Sequence, residues 1–350
     1  MSEKNDPSTS KKTPKGLKSL KGLNLQPTPP PKPRFELTRT CKITKNENGE
    51  TKEYTICFDE LEKGDFLGRG QFGTVKKMFH QPTNLTFAVK MVNDTLMESN
   101  DSRNSEIMDL AAPLKIGDGC PSLIKFYGAM HAESYIWILT EVMDTSLDRF
   151  YAKVFAMGIE MPELFVSKVA YAVTYALDFM RKAKMMHRDI KPSNILLNYT
   201  GEIKVCDFGI SGFTTNSVCT TFKGCQRYMP PEKIDPYLSG NGYTIRADIW
   251  SLGISLIEIS TGEHPFKDSN GVLGLIKSIV QNDPPKLDQS KFSPELCDFT
   301  DKCLVKIPDN RASCSDLLDH EFIKKYMETP NDLEYIKKVM DEVKKDIVEA

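Results

Sequence analysis

The sequence predicts an α+β fold in two lobes, a small β-rich one followed by a larger helical one. Three observations predict it. Between about residues 58 and 140, apolar runs rich in β-branched and aromatic residues are short and split by turns. After residue 145 the apolar spacing lengthens to the helical repeat. The 350 residues are 40% hydrophobic and 27% charged, enough for one large domain or two.

Taken in order, residues 1–57 are expected to form a basic, Pro-rich tail. Residues 1–34 hold eight Lys or Arg against Glu3 and Asp6 and end in "QPTPPPKPR". That composition buries too little apolar surface to offset its ordering entropy, so disorder is expected. The domain proper is expected over 58–327, with its small lobe at about 58–142 and its large lobe at about 143–327. "GDFLGRGQFGTVKKMFH", "LTFAVKMV", "LIKFYGAM" and "YIWILTEV" read as strands. A helix near "EIMDLAAPL" interrupts them and stops around Pro113. In "FVSKVAYAVTYALDFM" the apolar positions Val166, Val169, Val173, Leu177 and Met180 recur at helical spacing, and "DIWSLGISLIEIS" is apolar nearly all round, as in a helix buried on every side. At 328–350 an amphipathic helix is expected. It carries Leu333, Ile336, Met340, Val343 and Ile347 on one face, and Asn331 stands at its start.

Composition also excludes. No run of eighteen uncharged apolar residues exists, so no membrane partner is expected. The N-terminus lacks the apolar core of a signal peptide. Nine cysteines without CxxC spacing point to free thiols in a reducing compartment, the cytoplasm or nucleus. Net charge is −2, and the +6 of the first 34 residues leaves −8 on the body. Nucleic acid is therefore not an expected partner.

Four motifs carry chemistry. Gly68, Gly70 and Gly73 form GxGxxGxV in "LGRGQFGTV", where glycines let backbone N–H groups approach phosphate closely. A dinucleotide loop would need a helix straight after the third glycine, and "TVKKMFH" continues as strand. Lys90 ends the strand "FAVK", placed to reach phosphate oxygens, and its carboxylate partner is Asp109 or Glu106, three apart on one helical face. In "HRDIKPSN" Asp189 can accept a proton from an attacking hydroxyl, Lys191 can neutralise phosphate charge and Asn194 can bind a metal. Asp207 of "DFG" follows the strand "EIKVC". With Asn194 it supplies the sparse oxygen set that Mg2+ prefers beside phosphates and water.

With these motifs in order, residues 60–325 resemble the eukaryotic protein kinases. The resemblance implies the bilobal kinase fold with ATP between the lobes. Leu67, Gly68, Arg69, Gly70, Gln71, Phe72, Gly73, Val75, Ala88 and Lys90 would line the nucleotide, with a hinge at Glu141 to Met143. Thr140 just before the hinge is small enough to leave a back pocket open to inhibitors. It further implies that Phe208 sets the active or inactive state, that Asp248 supports the catalytic loop, and that Glu232 pairs with Arg311. Cys206 would face the nucleotide site, either open to electrophiles or buried and inert.

"FYGAM", "EVMDTSLDRFY", "CDFGISG", "SVCTT" and "GYTIRADIWSLGI" more closely resemble the mitogen-activated protein kinase kinases of the stress-responsive branch. That branch shares Asp109 where most kinases have Glu. Such kinases phosphorylate both Thr and Tyr in their target's activation loop. Pro230 replaces the Ala of the usual Ala-Pro-Glu. Lys90, Asp189 and Asp207, which a pseudokinase would be expected to lack, are all present. The alternatives are a serine/threonine kinase with other substrates, which Lys191 marks, and a non-catalytic scaffold.

Between residues 207 and 232, Ser211, Thr214, Thr215, Ser217, Thr220 and Thr221 crowd one loop. The family's activating pair is Ser-x-x-x-Thr, which Ser217 and Thr221 fit; counting backwards from Cys225 aligns Thr220 instead. Phosphate there could be captured by a basic cluster including Arg188. In the tail, Lys18 and Lys21 before Leu23 and Leu25 resemble the docking motif that holds a target MAP kinase. The C-terminal helix would be a docking surface for an upstream MAP kinase kinase kinase, or simply pack on the large lobe.

Overall fold

The computed structural model describes residues 37–349 except 48, 71–72, 94–118, 208–224, 236, 238–243, 268 and 270. Ten strands are described: β1 (Thr40–Glu47), β2 (Glu50–Cys57), β3 (Leu61–Gly70), β4 (Gly73–His80), β5 (Leu85–Asn93), β6 (Phe126–Ala132), β7 (Tyr135–Thr140), β8 (Thr145–Ser146), β9 (Ile195–Leu197) and β10 (Ile203–Val205). Strands β3 to β7 form one antiparallel sheet in the order β3-β4-β5-β7-β6. Its side chains alternate as a pleat requires. Phe87 and Val89 enter one core with Met78, Met130, Trp137 and Leu139, while Val92, Ile136 and Ile138 pack on the opposite face. Both faces being covered, β5 has no exposed residue and is buried over Phe87–Lys90, and Lys90 lies opposite Val75 and Ile138.

The tail expected over 1–57 is corrected from residue 40 onward. Thr40–Glu47 and Glu50–Cys57 pair as a β-hairpin, with Gly49 at φ 87° in its turn. Its inward residues Cys41, Ile43 and Ile56 join the core on the Phe87 face. The alternation in "TCKITKNENGETKEYTIC" around an Asn-Gly turn is a hairpin signal. The charged outward positions mask it in an averaged composition.

The large lobe holds α1 (Leu147–Ala156), α2 (Glu163–Lys182), α3 (Pro231–Ile234), α4 (Arg246–Thr261), α5 (Gly271–Val280), α6 (Pro294–Cys303), α7 (Cys314–Leu318), α8 (Glu321–Met327) and α9 (Leu333–Glu349). Helix α4 is buried over Ala247–Ser260, as its all-round apolar sequence requires. Each fully buried aliphatic side chain such as Leu252 or Ile254 contributes about 1.5–3 kcal/mol relative to exposure. Gly253 permits the packing of α4 on α6, since a Cβ there would stand 2.8 Å from Cys303 and Leu304.

Helix α9 begins two residues later than Asn331, and it is Asp332 that accepts the Tyr335 N–H at its start. Asn331 donates instead to Gly201 O. Ile336, Val339, Met340 and Val343 are buried in the large-lobe core near Phe150 and Phe165, while Leu333 is partly exposed. No described helix is long and apolar enough to cross a membrane. The expected helix near 106–114 and the tail motif at Lys18, Lys21, Leu23 and Leu25 lie outside the described residues.

Candidate active site

The cleft is assembled from a strand, a loop and the residue after a second strand. Lys90, 7% exposed, extends from central β5 and donates to both oxygens of Asp207 at 2.8 Å. Asp207 lies three residues beyond Lys204 of β10, at φ 64°, a left-handed turn that an Asp tolerates. Its side chain is 35% exposed, so its carboxylate opens to the cleft while a buried cation holds it from behind. Asp109 and Glu106, the two candidate partners of Lys90, lie outside the described residues.

The catalytic loop is fixed from below. Asp248, buried at the start of α4, accepts the His187 N–H at 2.8 Å and the Arg188 N–H at 2.7 Å. Burial raises its carboxyl above the ordinary range, against the pull of His187 and Lys233. Arg188 sits at φ 70°, and two amide bonds from one carboxylate stabilise that turn. His187 is fully buried: its Nε2–H donates to Cys206 O at 2.8 Å, and its Nδ1 accepts the Asp189 N–H at 3.3 Å. One imidazole thus spaces Asp189 from the residue before Asp207. Asp189 Oδ2 accepts from Lys191 Nζ and from Asn194 Nδ2, each at 2.8 Å. The same Asn194 amide reaches Asp189 O at 2.8 Å, and Cys206 N donates to Asn194 O at 2.9 Å.

The donor set suits a hard divalent ion. With Nδ2 of Asn194 engaged by Asp189, its Oδ1 is the end that could face a cation, and the Asp207 carboxylate would supply the second oxygen donor. Two oxygens, with phosphate and water completing the shell, match magnesium's reluctance to dehydrate fully.

At the back, Thr140 Oγ1 donates to Ala88 O at 3.2 Å, and Met143 is buried. The Glu141 carboxylate is tied to Lys204 at 2.8 Å. Cys206 is half-buried, and desolvation, with Asp207 adjacent, holds its thiol well above its ordinary value. In the glycine loop the structure gives Gly73 a packing reason of its own: a Cβ there would overlap Met91 O at 1.8 Å. Leu67, Gly68 and Val75 sit on paired β3 and β4 beside irregularities in the register, and Arg69 and Gly70 pair there too. Gln71, Phe72, Phe208 and all six loop hydroxyls, Ser217, Thr220 and Thr221 among them, lie outside the described residues.

Beyond the loop the chain is pinned again. Glu232 and Arg311 form a buried bidentate pair at 2.8 and 2.9 Å. Tyr228 donates to Glu258 Oε2 at 2.5 Å, and Tyr151 of α1 donates to Oε1 at 2.7 Å. No role for His187, Lys204, Arg149, Tyr228 or Glu258 follows from the sequence expectations above. Arg149 of α1 reaches Leu67 O at 3.4 Å. His187 alone carried a usable signal, standing directly before the Arg188-Asp189 pair.

The bilobal fold and this cleft define the class, and residues 61–323 match the family model of the protein kinase domain. Protein kinases use ATP and a divalent metal. The chain is 39% identical over 311 residues to the dual specificity mitogen-activated protein kinase kinase sek-1 of Caenorhabditis elegans, covering 88% of this chain and 91% of that one. It is 35% identical over 351 residues to protein kinase wis1 of Schizosaccharomyces pombe, covering 93% of this chain and 56% of that one. With MAP kinase kinase PBS2 of Saccharomyces cerevisiae it shares 37% over 287 residues, 80% of this chain and 42% of that one. The chain belongs to the protein kinase family and, within it, to the mitogen-activated protein kinase kinases.

Proposed function

We propose that this kinase activates a stress-responsive MAP kinase by phosphorylating Thr and Tyr in its activation loop, and is itself switched on at Ser217 and Thr221, with Thr220 the neighbouring candidate. The observation that carries the reading is the joined set Lys90, Asp189, Asn194 and Asp207, held on His187 and Asp248. Lys90 positions the phosphates, with Asp109 or Glu106 behind it, and the glycine loop covers them. Asn194 and Asp207 would hold Mg2+, whose charge would offset that of the phosphates. Asp189 accepts the target hydroxyl's proton as its oxygen bonds to the γ-phosphorus and the bond to the ADP oxygen breaks. Lys191 offsets the charge on the transferring group.

The dual specificity in sek-1's name supports the Thr-and-Tyr reading. Lys18, Lys21, Leu23 and Leu25 would tether the target, raising its effective concentration. An upstream MAP kinase kinase kinase would phosphorylate the loop. If it grips α9, it meets the charged face, since the apolar one is packed. The free-thiol argument supports a cytoplasmic or nuclear site of action. A second reading, a serine/threonine kinase with other substrates, is supported by Lys191.

The test compares wild type with the Ser217→Glu, Thr221→Glu form. Each receives ATP, magnesium and a panel of catalytically dead MAP kinases, and phosphosites are mapped by mass spectrometry. Paired Thr and Tyr phosphorylation on one target, stronger with the Glu form, is expected. Phosphate on generic serine or threonine substrates alone would move the assignment to the second reading. Nucleotide binding without transfer, in a loop-phosphorylated sample, would leave a scaffold.

A further inference from the structure

Glu141 opens the hinge, and Lys204 is the middle residue of β10. Ile203 and Val205 point into the large-lobe core, so Lys204, between them on a pleated strand, emerges on the other side, where the hinge passes. There the Glu141 carboxylate is filled. Its Oε1 accepts the Lys125 amide at 2.6 Å and Lys204 Nζ at 2.8 Å, and its Oε2 accepts Lys204 Nζ at 2.8 Å. The side chains are 20% and 12% exposed, which shelters the pair from the screening that weakens surface bridges.

Backbone bonds close the frame. Glu141 N donates to Lys125 O at 3.0 Å, so Glu141 and Lys125 bond each other twice. The strip leading to Lys125 is stitched to β10 as well: Val205 N donates to Ser122 O at 2.8 Å and Ile124 N to Val205 O at 2.9 Å. The ion pair spans the strip that separates the hinge from the strand leading to Asp207.

We propose that Lys204 is a positioning residue: through Glu141 it holds the hinge in the conformation that receives the adenine of ATP. The proposal rests on Glu141 to Met143 being the nucleotide-facing hinge. A pre-set hinge lowers the ordering cost of binding, so the strut acts on nucleotide affinity and leaves the transfer step to Asp189.

The experiment measures kcat and KM for ATP on the full, loop-phosphorylated chain, with urea unfolding alongside. Lys204→Met is expected to raise KM for ATP about three- to tenfold with kcat within about twofold, the split that marks lost uniform binding. Glu141→Gln should do the same, and the double substitution should be no worse than either single one. A purely structural role would instead lower stability and the active fraction, reducing apparent kcat at constant KM, and would overturn the proposal. So would single effects that multiply, or a rise in kcat, which would make the pair a restraint on lobe movement. Ala88→Phe separates the two readings. If it leaves ATP affinity intact in a folded protein, the hinge assignment itself is wrong. If it abolishes binding while Lys204→Met changes nothing, only the strut is lost.

Discussion

Two buried cations, Lys90 in the cleft and Arg311 in the large lobe, each meet a carboxylate at 2.8 Å, and they are built for opposite purposes. All five N–H donors of Arg311 are occupied. Two go to Glu232 and the rest to Val305 O, Arg246 O and Lys306 O, with the guanidinium 5.3 Å from the Trp250 ring centre. Lys90 is a point charge with rotatable donors, and its carboxylate partner Asp207 faces open cleft. A rigid, saturated fork locks the end of the activation segment to the lobe. An ammonium whose carboxylate partner faces an open cleft can pass from carboxylate to phosphate without rearranging the backbone. Burial alone therefore does not tell a structural ion pair from a functional one; the exposure of its acidic partner does.

The comparison breaks if cleft residues carry stability or lobe residues carry turnover. Asp189→Asn should lower kcat about 10²- to 10⁴-fold, the share of a general base. It should change unfolding free energy by less than about 1 kcal/mol, since the amide keeps one acceptor oxygen for Lys191. Near-normal turnover on a purified MAP kinase substrate would remove Asp189 from the mechanism. Arg311→Leu should do the reverse, costing about 3–5 kcal/mol in urea unfolding because Glu232 loses its guanidinium within the core. A cost under about 1 kcal/mol would show the saturated pair to be ornamental.

His264 sharpens the large-lobe side. It follows α4, its Nδ1 accepts the Phe266 N–H at 3.1 Å, and its Nε2 is buried with no partner among the described residues. Desolvation, with help from Arg227, pushes its pKa down to about 4 from an ordinary 6.5. Between those values the unfolded chain binds the extra proton, so stability is present at neutral pH and is lost as pH falls. From pH 7 to pH 5 that linkage amounts to about 2 kcal/mol. His264→Asn, which can still accept the Phe266 N–H, should lose about that much less over the same interval in urea titrations. Parallel curves for the two proteins would sink the linkage.

What could be read from the sequence follows the same division. Lys90, Asp189, Asn194 and Asp207 were legible because phosphoryl transfer constrains both their types and their order along the chain. Helix α4 was legible because nothing but full burial explains "DIWSLGISLIEIS". The hairpin at 40–57 was not, because half of a two-faced strand is charged and averages into the tail before it. Nor were the partners: Glu141 reads as a hinge residue, but Lys204, 63 residues away, reads alone as a solvated charge. Tyr151 and Tyr228 converge on Glu258 from two distant segments, a meeting that no local pattern announces.

Cys206 gives the smallest effect and the finest test, because it lies on the boundary between the two regions. Its position beside the cleft suggests a thiol activated by Lys90, as cations activate cysteines elsewhere. The arrangement argues otherwise. Desolvation is the larger influence, Asp207 is the nearer charge, and both favour the protonated thiol; the opposing pull of Lys90 is weaker, since that ammonium is shared with Asp207 itself. Cys206 should therefore alkylate more slowly than Cys57, the half-exposed thiol ending β2, when the native protein is treated with iodoacetamide near neutral pH and mapped by mass spectrometry. Asp207→Asn removes the adjacent negative charge, so it should speed labelling of Cys206 while leaving Cys57 unchanged. Labelling of Cys206 as fast as Cys57 in the wild type would mean that the cleft is wetter than its side chains indicate, and that Lys90 reaches past Asp207.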